Sequence, residues 1–177
     1  MKTKFNQSKL KLAIVSAMLL GTAAITAPTY ALDANLSVSA SIGTACTIST
    51  SALAFDMYDA VGANASADLL ATGGVTSTCS IGSSGNIKMS QGSNSGDGSS
   101  DSAPNRRMIH GSDGTKFLNY SVFSDSARTA VWENGTGVAY TGTGSAETLT
   151  VYGSVTQAQV GAIVGSYSDV LVVAINY

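Results

Sequence analysis

Asp33-Ala34-Asn35-Leu36-Ser37-Val38-Ser39-Ala40-Ser41-Ile42-Gly43-Thr44 alternates polar and apolar residues without an error from Asp33 to Ile42. In an extended chain Ala34, Leu36, Val38, Ala40 and Ile42 share one side, and Asp33, Asn35, Ser37, Ser39 and Ser41 share the other. This two-residue period predicts a strand with one face buried. Its partner is left open by pattern alone. The ribbon is either the first strand of an ordinary secreted β-sandwich or a strand that completes the sheet of a neighbouring copy.

The residues before it resemble an export signal. Lys2, Lys4, Lys9 and Lys11 form a basic start, residues 12–25 are apolar, and Thr29-Tyr30-Ala31 carries small residues where a signal peptidase reads them. The apolar run is short for a membrane span, and Pro28 follows it. Cleavage is therefore expected after Ala31. The expected domains are a signal at 1–31, the ribbon at 32–44 and one β-domain at 45–177. Loss of the signal removes four lysines and no carboxylate. Lys88, Arg106, Arg107, Lys116 and Arg128 then face all 11 acidic residues. That acidic balance argues against a nucleic-acid partner.

Cys46 and Cys79 are the only cysteines. A pair in an exported chain predicts one disulfide. Zinc ligation is disfavoured, because no Cys-x-x-Cys occurs and His110 is the sole histidine. Further strands are expected at 45–49, 53–58, 74–81, 86–90, 106–110, 117–123, 129–132 and 148–155. Asp113-Gly114 turns a hairpin between 106–110 and 117–123. Residues 60–74 and 133–145 read as loop or irregular edge, and the Gly, Ser, Asn and Asp run at 91–105 as a long flexible loop. Asp97 and Asp101 lack calcium-loop spacing and its closing Glu.

Val170-Leu171-Val172-Val173-Ala174-Ile175-Asn176-Tyr177 is apolar on both faces until Asn176. Such a strand is expected inside a sheet, covered on both faces and flanked on both edges. No sequence follows to flank it, and an open apolar edge invites pairing. The ribbon at 33–44 is the natural candidate for that edge.

Catalytic chemistry is not legible. His110 has no Gly-x-Ser-x-Gly nucleophile elbow to serve. Asp56 and Asp59 flank Tyr58 without showing a cleft, and no phosphate-binding glycine motif occurs. Trp132 reads as core. A sugar-binding module would use Trp132 with the loop from Gly92 to Asp101.

Several stretches resemble the spore coat protein U domain family, which includes subunits of archaic (Csu-type) chaperone–usher pili. They are Cys46, Cys79, Arg107-Met108, Leu118-Asn119-Tyr120-Ser121-Val122-Phe123-Ser124-Asp125, Trp132 with Gly135-Thr136-Gly137, and Thr150-Val151-Tyr152-Gly153. The most specific is Gly165-Ser166-Tyr167-Ser168-Asp169-Val170 running to Tyr177. The resemblance implies an all-β, incomplete immunoglobulin-like sandwich, completed by a strand donated by a neighbouring subunit or a periplasmic chaperone. It implies donor residues Leu36, Val38, Ala40 and Ile42. The acceptor groove would be lined by Val170, Leu171, Val172, Val173, Ala174, Ile175 and Tyr177.

The implied partners are identical or related pilin subunits, the chaperone and an outer-membrane usher. The product would be a surface pilus, reached through the periplasm and serving adhesion and biofilm formation. No enzyme activity, cofactor or metal is implied. The family also contains secreted coat proteins, so a spore-coat-like or carbohydrate-binding sandwich stands as the alternative.

Overall fold

The structure, a computed structural model, describes residues 31–177. The expected signal at 1–31 lies outside the described residues, except for Ala31. The chain divides into two units, with the boundary between Ala40 and Ser41. Residues 31–40, the described part of the first, contain no strand and are exposed throughout.

The second unit contains nine strands among the described residues: β1 (Cys46–Ser51), β2 (Leu69–Cys79), β3 (Ser84–Met89), β4 (Arg106–His110), β5 (Phe117–Phe123), β6 (Val138–Thr141), β7 (Ala146–Val155), β8 (Tyr167–Ser168) and β9 (Val173–Asn176). A six-stranded sheet has the order β1-β2-β7-β5-β4-β8, and a three-stranded sheet the order β6-β3-β9. All pairings are antiparallel.

Period-two burial builds the core. On β5, Leu118, Tyr120 and Val122 are buried while Asn119 between them is exposed. On β7, Val151 and Val155 point inward. Trp132 is 1% exposed, and its indole N–H donates to the Ile87 carbonyl at 2.9 Å. It fills the interior and offers no face to a sugar. The expected disulfide joins Cys46 to Cys79.

Several local expectations are corrected. Residues 33–44 form no strand within their own chain. Residues 53–58 form none either. Leu53, Phe55 and Tyr58 instead pack as side chains against the core. Gly153 permits this approach: a Cβ there would lie 2.7 Å from Phe55 and 2.8 Å from Leu53. The strand near Trp132 is only a bridge from Val131 to Phe123. β2 starts at Leu69, inside the expected loop, and β6 occupies part of 133–145.

The run at 91–105 is pinned. Arg107 Nη2 donates to the Ser95 carbonyl at 2.9 Å, and the Gly96 N–H to the Asn105 carbonyl at 2.8 Å.

The last strand also departs from expectation. Its regular part is only Val173–Asn176, paired with β3 alone. Val170 and Val172 continue beside the loop after β3, with their carbonyls accepting from Ser93 and Ser90. Burial alternates: Leu171, Val173 and Ile175 are half-buried, whereas Val170, Val172 and Ala174 are exposed. The segment is therefore an edge strand covered on one face.

Candidate functional site: an open groove beside the last strand

The edge of β9 borders a groove of about 1130 Å³ within the Ser41–Tyr177 unit. One wall is residues 50–61, and the other is residues 162–171 with Val160 and Val173. Its floor is the core itself: Val75, Met89, Met108, Leu118, Tyr120 and Val151. An interior thus reaches the surface along one side. Met57, Val61 and Val164 stand at the mouth, each more than 85% exposed.

β1 shows the same opening. Ile48 and Thr50 pair with Ser77 and Val75, both buried. Directly opposed residues share a sheet face, so Ile48 and Thr50 lie on the inward face. Both are nevertheless exposed. Of these two, Thr50 lines the groove.

Polar groups hold the far wall. The Tyr120 hydroxyl donates to Asp169 Oδ2 at 2.7 Å, and the Asn94 backbone N–H and side-chain amide both donate to Asp169 Oδ1. Burial, with the Asp169 hydrogen bond and charge, pushes the Tyr120 phenol well above its ordinary range. Asp169 sits where the chain leaves β8 in one sheet for β9 in the other. Tyr120→Phe removes one of its donors, and a loss of about 1–2 kcal/mol in denaturant unfolding is expected.

Beneath the floor, Arg106 joins the sheets. Its guanidinium donates to the carbonyls of Met89, Ser90 and Trp132, with Nη2 at 2.7 Å from the last two. Burial pulls its pKa down, countered by Tyr120, Asp169 and Glu133.

His110 is absorbed structurally. Its Nδ1 accepts the backbone N–H of Ser112 and Asp113, and Nε2 lies 3.2 Å from the Val164 carbonyl.

The sequence-derived residues fall as follows. Val170, Leu171 and Val173 line the groove; Val172, Ala174, Ile175 and Tyr177 are not among its lining residues. Leu36, Val38, Ala40 and Ile42 are exposed. The wall at 50–61, the wall from Val160 to Asp169 and the Arg106 clamp were missed. The apolar and aromatic residues Leu53, Ala54, Phe55, Met57 and Tyr58 were the available signal, and they read equally as a short strand.

A curated relative, Protein U of Myxococcus xanthus, is 34% identical over 152 residues, covering 81% of this chain and 84% of its own length. Among solved structures, the fold is similar to a chain in the complex of the chaperone CsuC with the tip adhesion subunit CsuE, from archaic chaperone–usher Csu pili of Acinetobacter baumannii. The TM-score is 0.51 at 16% identity. The match covers 76% of this chain and 40% of that one, so this chain spans about two-fifths of its solved neighbour. The fold is thus an all-β, sandwich-like one, similar to that found in a pilus-subunit complex. The family model described as Spore Coat Protein U domain matches residues 32–174, and the chain belongs to that family.

Proposed function

We propose that this chain is a structural subunit that polymerises by donor-strand exchange into a surface pilus shaft serving adhesion and biofilm formation. The carrying observation is the groove of about 1130 Å³ floored by core residues beside the unpaired edge of β9. The ribbon of one copy fills the groove of the next. Residues 1–31 act as the export signal, 32–44 as the donor and 45–177 as the acceptor domain.

Chemistry supports the match. From Ala34 to Ile42 an extended ribbon reaches about 27 Å at ~3.4 Å per residue. Burying Leu36, Val38 and Ile42 contributes about 1.5–3 kcal/mol each. The free edge of β9 offers a backbone ladder that fixes register. Before assembly the same edge calls for a temporary strand, which a periplasmic chaperone supplies, and an outer-membrane usher exchanges it. The likeness to a chain of the CsuC–CsuE complex supports this reading at the level of fold.

A synthetic peptide of residues 32–44 is expected to bind the folded 45–177 domain saturably, whereas a scrambled peptide does not. Equal behaviour of the two contradicts the proposal.

A coat-forming protein is the second reading, favoured by the match to the Spore Coat Protein U domain. It differs by needing no usher, so assembly of the purified chain alone separates the two.

A further inference from the structure

The ribbon's root is placed where tension does most harm. Only Ala45 separates the expected donor segment from β1. Among the described residues β1 is an edge strand paired with β2 alone, and it is exposed from Thr47 to Ser51. The chain then continues directly into residues 52–61, which with Thr50 and Ser51 make one wall of the groove. A pull on Ala45 would draw on β1 first, and next on the wall.

The register places the disulfide at that point. Cys46 and Cys79 are the first pair of the β1–β2 ladder. Beyond the crosslink, β2 is an interior strand, flanked by β1 and paired with β7 from Leu69 to Thr78. β1 and the wall lie entirely inside the covalent loop closed by the two cysteines.

We infer that Cys46–Cys79 is a load bypass. It passes tension leaving through a subunit's own ribbon to β2, so that the wall gripping the neighbour's ribbon is not peeled away. The inference rests on the donor-strand reading and adds a mechanical function to a bond otherwise read as a stabilising brace. Without the bond, detachment of β1 and the wall frees chain up to Leu69, a contour of about 80 Å at ~3.3–3.6 Å per residue, and so a lengthening of about 50 Å beyond the span of β2.

The test uses the chain from residue 32 to 177, tethered by its N-terminus, with a peptide of residues 32–44 on a second handle seated in its groove. Bond lifetime is measured at constant tension and at negligible tension, before and after reduction of the already folded chain. Reduction in place avoids variants that fail to fold. The expected result is an unchanged lifetime without tension and, under tension, one shortened at least about tenfold on reduction, with the lengthening step preceding release.

Equal lifetimes under tension overturn the bypass and leave donor-strand exchange standing. Equal shortening with and without tension also overturns it, because the bond is then only a brace. A peptide that never seats in the oxidised chain overturns the donor-strand reading, and the bypass with it.

Discussion

Val38→Asp is expected to abolish polymerisation and to leave the folded monomer as stable as the parent. Val38 is 87% exposed in the unassembled chain. Surface substitutions of that kind change stability by about 0.5 kcal/mol or less. In the groove the same position would put an unpaired carboxylate over apolar core residues, which costs several kcal/mol. It also forfeits about 1.5–3 kcal/mol from the lost valine. At 1.4 kcal/mol per tenfold, exchange weakens by roughly a thousandfold or more.

Ser39→Asp on the opposite side of the ribbon is the control, and it is expected to assemble. Sedimentation of assembled material and thermal melting of the monomer, measured on both variants, give the outcome. Equal assembly defects in both would contradict a face-specific plug, and a destabilised Val38→Asp monomer would point to an ordinary first strand.

Arg106→Leu is the second large effect, and it acts on the fold. Arg106 is 2% exposed and ties β4 of one sheet to the carbonyls of Met89 and Ser90 at the end of β3 and of Trp132. Leucine fills part of the volume but leaves those carbonyls without their donor. The expected loss is about 3–5 kcal/mol, a large share of an ordinary domain's stability. Arg106→Lys recovers little, because one ammonium cannot reproduce the planar fork. Urea unfolding reads both variants. A loss under about 1 kcal/mol for Arg106→Leu would contradict a clamp between sheets.

The Arg106-Arg107 pair shows where sequence reading stops. Alternation along β4 says that one arginine faces inward, but not which one, nor what would accept it. Arg107 instead stacks over the Phe117 ring at 4.1 Å. A strand whose burial alternates cleanly, such as β5, was legible because one face is core and the other is not. The disulfide was legible from the cysteine count alone.

The groove was only half legible. The apolar run at 170–177 pointed to the side of the groove that Val170, Leu171 and Val173 line, whereas nothing pointed to its other wall. Leu53 to Tyr58 is rich in apolar and aromatic residues and reads as a short strand, yet ladder formation depends on a neighbour's edge, which local composition does not contain. The loop at 91–105 looked flexible because its anchor, Asp169, lies 75 residues from Asn94.

The most direct test compares thermal unfolding of residues 44–177 with the same segment carrying residues 32–43 after Tyr177 through a short flexible linker. A filled groove predicts that the fusion melts well above the bare domain, by more than about 10 °C, since about 5 kcal/mol moves a domain of this size that far. Coincident, cooperative melting of the two would show a domain already complete without the ribbon and would contradict donor-strand exchange.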